Sequence, residues 1–208
     1  MIRGLIFDLD GVIVSTEQNH YFAWKKIADK LNIPFNEEAN EALKGLSRKD
    51  SLLKLLAISN LSFDSKDFDE LLMLKNKHYL NSLENLSRKD LLPGVLKVLD
   101  LAKEKEFSVS IGSSSKNALF IIKKLGLRDY FKIIVDGNAV KYPKPHPEVF
   151  LNAAKAMGLS SSECVVFEDA ESGVRAAKSG GFKVFAVGNP NIQNIADGYF
   201  TDLTEFKF

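Results

Sequence analysis

Two pairs of acidic residues each follow a short apolar run of the sequence. Asp8 and Asp10 come at the end of the first run, and Glu168 and Asp169 follow the run Cys164–Phe167. If both runs are strands of one parallel sheet, the two pairs lie at the same edge of it, where ligands bind in such sheets. Neighbouring carboxylates repel each other unless a cation neutralises them, and Mg²⁺ prefers oxygen ligands. The pattern therefore predicts a magnesium site.

Each acidic pair also has a simpler interpretation. Asp10 and Gly11 could form only a turn at the end of a strand, since both residue types are common in turns. Asp169 could simply begin the next helix, where acidic residues are favoured. Neither interpretation accounts for two pairs at two strand ends, so a shared cation site is the favoured hypothesis.

Two further segments could bind an anion such as phosphate. The first lies between a predicted strand and a predicted helix, where hydroxyl groups and backbone N–H groups can surround an anion; its polar residues include Ser113, Ser115 and Asn117. The second, 141–147, contains three prolines. They restrict the backbone around Lys144, whose ammonium group could neutralise a phosphate. Taken singly, the first segment is also typical of a capped loop and the second of a surface lysine.

The runs that precede these residues predict an α/β fold with a doubly wound, mostly parallel sheet. Short runs rich in β-branched and aromatic residues are typical of strands buried on both faces. Segments with helical periodicity separate them, which implies right-handed crossovers. The predicted strands are Ile2–Leu9, Phe107–Gly112, Ile133–Val135, Cys164–Phe167 and Lys183–Val187, and the predicted helices are Gly94–Lys105, Lys116–Leu125, Glu148–Met157 and Ser172–Ser179.

The segment from Glu17 to about Leu83 has a different character. It shows helical periodicity and no convincing strand, and apolar positions such as Trp24 and Ile27 follow three- to four-residue spacing. This predicts an insertion of about four helices after the first strand. We therefore predict a sheet domain of residues 1–14 and 84–208 and a helical domain of residues 15–83.

The sequence Leu-Ser-Arg-Lys-Asp occurs twice, beginning at Leu46 and at Leu86. A repeat architecture would need three or more copies at a fixed period, and there is no third copy. A serine followed three residues later by an acid predicts instead that each copy begins a helix. The first copy also contains Arg48, which could bind a phosphate through its planar fork of donors or could be an ordinary helix-surface residue.

The composition excludes several classes of protein. Of the 208 residues, 45% are hydrophobic and 26% are charged, and the formal net charge is only +1, so the basic excess typical of nucleic-acid binding is missing. The single Cys164 excludes an intramolecular disulfide and a thiolate zinc site. No apolar run resembles a membrane span or a signal peptide. A dinucleotide-binding module is disfavoured, because no Gly-x-Gly-x-x-Gly follows the first strand. We predict a soluble, cytoplasmic monomer that binds neither nucleic acid nor membrane.

Taken in order along the chain, these motifs resemble the haloacid-dehalogenase superfamily of aspartate-based phosphotransferases. The matching segments are Asp8-Leu-Asp10-Gly-Val, Ser113, Lys144-Pro and Phe167-Glu-Asp-Ala-Glu-Ser-Gly-Val-Arg-Ala-Ala177. The resemblance spans nearly the whole chain and implies a Rossmann-like core, with residues 15–83 as the small helical cap of that superfamily. It also implies a Mg²⁺-dependent enzyme whose metal ligands are Asp8, Asp10 through its backbone carbonyl, Asp169 and Glu168.

A finer resemblance is to the β-phosphoglucomutases. Those enzymes share the cap motif seen here as Gly45-Leu-Ser-Arg-Lys-Asp-Ser51, a phosphate loop like Ser113–Asn117, and a His four residues before a Trp. Trp24 is nevertheless explained more simply as a core residue. The implied substrate-binding residues are Thr16, His20, Gly45, Arg48, Ser51, Lys75, Ser115 and Asn117. Ser15 departs from the pattern, since an acid commonly precedes the matching Thr, and this puts the opening of the cap in doubt rather than the chemistry.

The finer resemblance implies a phosphohexomutase of carbohydrate metabolism that interconverts β-D-glucose 1-phosphate and β-D-glucose 6-phosphate through an aspartyl phosphate and a bisphosphate. In that mechanism Asp8 is the nucleophile and Asp10 the general acid and base. Ser113 and Lys144 complete the site of the transferred phosphate. The main alternative is a small-molecule (sugar-phosphate) phosphatase with the same core. A non-catalytic sensor on this fold is disfavoured, because a binding protein needs no nucleophile.

Overall fold

The computed structural model describes residues 1–43, 46–59 and 63–207. The chain divides into two compact units. One consists of Met1–Ser15 together with Leu86–Phe208 and contains the sheet; the other is Thr16–Asn85 and is helical. We describe each unit separately.

The sheet of the first unit is parallel throughout its described strands, as predicted from the sequence. Its strands are β1 (Gly4–Phe7), β2 (Ser108–Gly112), β3 (Ile133–Val135), β4 (Cys164–Glu168), β5 (Lys183–Val187) and β6 (Gly198–Phe200), in the order β3-β2-β1-β4-β5-β6. Strands β2 and β3 extend the sheet from one side of β1. Strand β4 then pairs with the other side of β1, and β5 and β6 follow it. Crossovers between parallel strands are right-handed as a rule, and because they run in both directions from β1 the fold is doubly wound.

The helical unit contains α1 (Glu17–Lys30), α2 (Glu37–Glu41), α3 (Arg48–Ala57) and α4 (Ser65–Ser82). Its core is formed by one apolar stripe from each of the longer helices, including Trp24, Ile27, Leu52, Leu55 and Leu71. Ser47 caps α3 by accepting from the N–H of Asp50 at 3.1 Å, as predicted for the first copy of the repeated sequence. The boundaries predicted for this domain, 15–83, stay a prediction.

The helices of the sheet unit are α5 (Val95–Glu104), α6 (Ala118–Lys124), α7 (Glu148–Ala156) and α8 (Glu171–Ser179). Every predicted strand and helix of this unit is present, with ends shifted by at most two residues. The second copy of the repeated sequence begins only a short 3₁₀ turn, Arg88–Asp90, with Ser87 and Asp90 forming a capping box. β6 was not predicted. Among the described helices, none combines the length and apolar composition needed to cross a bilayer.

The register of the central strands aligns their side chains in rows. Phe7, Phe167 and Phe185 are directly opposite one another on β1, β4 and β5, and the rings of Phe7 and Phe167 stack with centroids 4.9 Å apart. The preceding row, which includes Ile6 and Val166, packs on the opposite face with α7 and α8. Because Phe7 and Phe167 are paired, the residues that follow them leave the sheet side by side.

Candidate active site

The acidic pairs meet at the carboxyl edge of the sheet. The N–H of Asp8 donates to the carbonyl of Phe167 at 2.9 Å, so Asp8 leaves β1 next to Glu168, the last residue of β4. β1 ends at Phe7, and both Asp8 and Asp10 therefore lie beyond it. A turn rather than a strand therefore carries both of them.

Lys144 lies between two of these carboxylates. Its Nζ donates to Asp8 Oδ1 at 2.5 Å and to Glu168 Oε1 at 2.7 Å. All three side chains are less than a tenth exposed. Burial by itself lowers the pKa of Lys144, but the two carboxylates outweigh it and raise the pKa above its usual range. Lys144 is therefore a fixed positive charge in the centre, and the surface-lysine interpretation is wrong.

Glu168 uses both of its carboxylate oxygens within the protein. Oε1 accepts from Lys144, and Oε2 accepts from the N–H groups of Asp169 at 2.7 Å and Ala170 at 2.8 Å. The close packing depends on Gly173 in α8, since a Cβ there would lie 1.8 Å from Oε1. Glu168 thus holds Lys144 and the following turn in place.

Asp8, Glu168 and Asp169 form a cluster whose ligand oxygens all lie within 4.8 Å of one another. Burial, then the charges of Glu168 and Asp8, raise the pKa of Asp169 to about 9. Burial also raises the pKa of Asp8 to about 7 although Lys144 opposes this. When ionised, three carboxylates beside one ammonium leave two uncompensated negative charges in a buried place. An oxygen-only donor set with that charge fits one divalent cation such as Mg²⁺.

Gly11 makes room for this cluster. It has a φ of +82°, which glycine adopts without strain, and a Cβ at this position would lie only 2.0 Å from Asp169 Oδ2. The carboxylate of Asp169 is therefore packed directly against the backbone of the Asp8-Leu-Asp-Gly turn. The sequence indicated a turn at Gly11. It did not show that the contact with Asp169 also excludes a side chain there.

The Ser113–Asn117 segment connects β2 to α6 and is closed by its own hydroxyl groups. Ser113 is buried, and its Oγ accepts from the N–H of Ser115 at 3.1 Å. Ser115 Oγ in turn accepts from the N–H of Asn117 at 3.3 Å. These bonds are those of a capped loop, the simpler of the two interpretations. Phosphate binding by Ser113, Ser115 and Asn117 stays a prediction.

A separate group of predicted site residues comes together inside the helical unit. Lys75 of α4 is only 2% exposed, and its Nζ lies 2.9 Å from His20 Nδ1 on α1. The same ammonium group lies 5.0 Å from the ring centroid of Trp24 and 4.8 Å from that of Tyr79. Such contacts with aromatic faces stabilise a desolvated cation. Trp24 is buried as expected of a core residue, and it also forms part of the surroundings of Lys75.

The hydrogen bond to Lys75 determines the protonation of His20. An ammonium group can only donate, so Nδ1 of His20 must accept and the proton of the neutral ring is on Nε2. Burial, the charge of Lys75 and the charge of Arg48 together hold the pKa of His20 well below its usual value. The lowered pKa favours the neutral form of His20, whose Nε2 can donate a hydrogen bond.

The structure describes three of the four remaining predicted residues of the helical unit. Arg48 is half-buried at the start of α3, and Ser51 is buried one turn later. Thr16 is buried and lies 2.9 Å from the hydroxyl of Tyr79. Gly45 lies outside the described residues. Sequence reasoning missed Tyr79, although its position four residues after Lys75 places both on one face of α4.

The profile of the haloacid dehalogenase-like hydrolases matches residues 2–181, a range that includes Asp8, Ser113, Lys144 and Asp169. The chain belongs to the haloacid dehalogenase-like hydrolase family. The family resemblance that the order of the motifs indicated is confirmed.

Mutases and phosphatases both occur among the similar members of this haloacid dehalogenase-like family. Beta-phosphoglucomutase of Bacillus subtilis (strain 168) is 40% identical over 189 residues, covering 90% of this chain and 83% of the relative. The crystal structure of beta-phosphoglucomutase from Clostridium difficile has a TM-score of 0.94 at 36% identity, covering 100% of this chain and 94% of that one. Fructose-1-phosphate phosphatase of Escherichia coli (strain K12) is 34% identical over 178 residues, covering 86% of this chain and 92% of the relative.

Proposed function

We propose that this haloacid dehalogenase-like enzyme is a Mg²⁺-dependent β-phosphoglucomutase, which interconverts β-D-glucose 1-phosphate and β-D-glucose 6-phosphate. The observation that carries the proposal is a pair of cationic side chains in the helical unit, buried Lys75 and half-buried Arg48, both close to the neutral His20. A phosphatase has to bind one phosphate, whereas a mutase has to hold a sugar bisphosphate at both ends. The sheet unit supplies one set of phosphate-binding residues, and the helical unit supplies a second set of positive charge.

In the proposed mechanism Asp8 attacks the phosphorus of one phosphate of the sugar bisphosphate, so that a glucose monophosphate is the leaving group. A bond forms between phosphorus and the Asp8 carboxylate, the bond to the sugar oxygen breaks, and Asp10 gives its proton to that oxygen. In the second step the free hydroxyl of a glucose monophosphate attacks the aspartyl phosphate, which frees Asp8 and forms the bisphosphate again, and the hydroxyl gives its proton to Asp10. Lys144, which is fixed as a cation next to Asp8 Oδ1, stabilises the negative charge of the transferred group.

Asp8, Asp169 and the backbone carbonyl of Asp10 would hold Mg²⁺, with Glu168 next to them. When bound, the ion offsets the negative charge of the phosphate beside the carboxylate nucleophile. Glu168 is proposed mainly as the residue that orients Lys144 and Asp169, because both of its oxygens already accept hydrogen bonds within the protein.

His20 is proposed to donate a hydrogen bond from Nε2 to an oxygen of the sugar phosphate. Its neutral state and the orientation fixed by Lys75 suit it to this role and leave proton transfer to Asp10. Thr16, Gly45, Ser51, Ser115 and Asn117 remain proposed substrate-binding residues from the resemblance to the β-phosphoglucomutases.

The test of the proposal is a product comparison. The protein is incubated with β-D-glucose 1-phosphate, Mg²⁺ and a catalytic amount of glucose 1,6-bisphosphate, and both glucose 6-phosphate and free phosphate are measured. We expect isomerisation to exceed phosphate release. Phosphate release without isomerisation would favour the sugar-phosphate phosphatase, the second candidate, which the identity to fructose-1-phosphate phosphatase supports.

Replacing Arg48 should separate the two activities. Arg48→Ala removes the proposed forked contact to the second phosphate, and misplacing the sugar by about 1 Å can cost about 10²-fold in rate. We expect isomerisation of glucose phosphate to fall by about that factor, while phosphorylation of the enzyme by acetyl phosphate, which has no second phosphate, changes little. Isomerisation of glucose phosphate is measured by a coupled assay. Phosphorylation by acetyl phosphate is measured by mass spectrometry of the phosphoenzyme.

The chain offers a matched control for this variant. Arg88 occupies the same position in the second copy of Leu-Ser-Arg-Lys-Asp, and its guanidinium group donates to the carbonyl of Gly126 at 3.3 Å. Arg88→Ala should leave isomerisation near the wild-type rate. Equal losses with both phosphate donors in Arg48→Ala would mean that Arg48 supports the fold rather than the substrate.

Removing the metal should stop catalysis reversibly. We expect excess chelator to abolish turnover and added Mg²⁺ to restore it, because the proposed ligands are all oxygen atoms. Asp169→Ala should require more Mg²⁺ for half-maximal activity and should also turn over more slowly when saturated. Full activity of the wild-type protein in excess chelator would contradict the proposed metal site.

A further inference from the structure

Asn189 connects the loop after β5 to the main chain of Asp169. Its Nδ2 donates to the backbone carbonyl of Asp169 at 2.8 Å. Its Oδ1 accepts from the N–H of Asn191 at 3.1 Å and so caps the 3₁₀ turn Pro190–Ile195. Because both ends of the amide are engaged, the group has one orientation, with its nitrogen directed at Asp169.

The bond from Asn189 completes the restraint of Asp169. The N–H of Asp169 donates to Glu168 Oε2 at 2.7 Å, and its carbonyl accepts from Asn189. Both polar groups of the Asp169 backbone are therefore tied to side chains from different elements, one at the end of β4 and one beyond the end of β5.

The carboxylate that this backbone carries has little freedom to move. A Cβ at Gly11 would lie 2.0 Å from Asp169 Oδ2, so the carboxylate is already in contact with the turn that follows Asp8. Its ligand oxygen lies within 4.8 Å of those of Asp8 and Glu168. A rotation of the Asp169 peptide would change the spacing of these oxygens, on which cation affinity depends.

We propose that Asn189 is a positioning residue, which fixes Asp169 through its backbone carbonyl so that the Asp8–Glu168–Asp169 cluster is arranged to bind a divalent cation. This role rests on the metal site of the proposed function. Asn189 acts only through Asp169, so its loss should weaken cation binding without removing a ligand.

Asn189→Ser tests this role selectively. A serine at this position still caps the turn by accepting from the N–H of Asn191. Its side chain is too short to reach the Asp169 carbonyl. We expect the Kd for Mg²⁺, measured by titration calorimetry on the substrate-free protein, to rise by about 10-fold. The unfolding midpoint in chelator should stay unchanged, and kcat should return to the wild-type value at saturating Mg²⁺.

Two further variants complete the design. Asn189→Ala loses both the cap and the bond, and it should show the same Kd as Asn189→Ser even if its unfolding midpoint falls. Asn191→Ala is the matched control, because the loop uses only the backbone N–H of Asn191 in this contact, and it should bind Mg²⁺ with the wild-type Kd.

The outcomes distinguish this role from the site on which it depends. Equal Kd values for wild-type and Asn189→Ser protein would overturn the role of Asn189 alone. A raised Kd accompanied by a lower unfolding midpoint in chelator for Asn189→Ser would also overturn it, since the bond would then be structural. If the wild-type protein did not bind Mg²⁺, the metal site itself would be wrong, and the role of Asn189 with it.

Discussion

Asp8→Asn protein is expected to show no measurable isomerisation, a loss of at least about 10⁴-fold. The amide keeps the size of the side chain but cannot form an aspartyl phosphate, so both steps of the proposed mechanism are lost. Incubation with acetyl phosphate should add one phosphoryl group to wild-type protein and none to the variant, as measured by intact mass. Lys144 retains its bond to Glu168 in the variant, so we expect the fold to persist.

A matched control for Asp8→Asn is Asp136→Asn. Asp136 also directly follows a strand, β3, but it accepts from the N–H of Asn138 within its own loop and is not part of the carboxylate cluster. Asp136→Asn should isomerise glucose phosphate at near the wild-type rate. Substantial turnover by pure Asp8→Asn protein, or phosphorylation of it by acetyl phosphate, would show that another residue is the nucleophile.

Asp10→Ala is expected to lower the isomerisation rate by about 10²–10⁴-fold, the usual effect of removing a general acid–base group. The loss should depend on the leaving group. A sugar alkoxide needs a proton to leave, whereas acetate leaves acetyl phosphate without one. Phosphorylation of the variant by acetyl phosphate should therefore proceed at close to the wild-type rate, as followed by rapid quenching and mass spectrometry.

The comparison of the two donors separates proton transfer from metal binding. The proposed contribution of Asp10 to the metal is its backbone carbonyl, which Asp10→Ala retains, so the Kd for Mg²⁺ should change little. If both donors slowed equally, Asp10 would act through the metal or the fold. A loss of only a few-fold with the sugar phosphate would mean that another group transfers the proton, and the neutral state of His20 argues against that residue.

The fold could be predicted from the sequence because its strands are marked by composition. Runs such as Cys164–Phe167 contain only apolar residues, and helical periodicity lies between them. β6 escaped prediction because Gly198–Phe200 is three residues long and contains a glycine. It is a strand only because it pairs with β5, a long-range contact that no local pattern shows.

The clustering of site residues at strand ends could be predicted from the sequence. The hydrogen bonds between these residues could not. Grouping Glu168 with Asp169 was sufficient to locate the acidic centre, but the use of both Glu168 oxygens by Lys144 and two backbone N–H groups depends on three-dimensional geometry. His20 and Lys75 are 55 residues apart, so their bond could not be inferred from helix spacing. Asn189 follows β5, and the rule that identified Asp8 would have singled it out had it been applied to every strand.

The contact between Lys144 and Asp8 joins residues 136 positions apart. β1, which carries Asp8, is synthesised first but lies in the middle of the sheet and pairs with β4, which begins at Cys164. During translation the proposed nucleophile therefore leaves the ribosome long before Lys144, Glu168 and Asp169 exist. The candidate site assembles late, and a nascent or prematurely terminated chain that ends before β4 carries Asp8 without Glu168 and Asp169. The proposed phosphoryl transfer therefore requires that translation has passed Asp169.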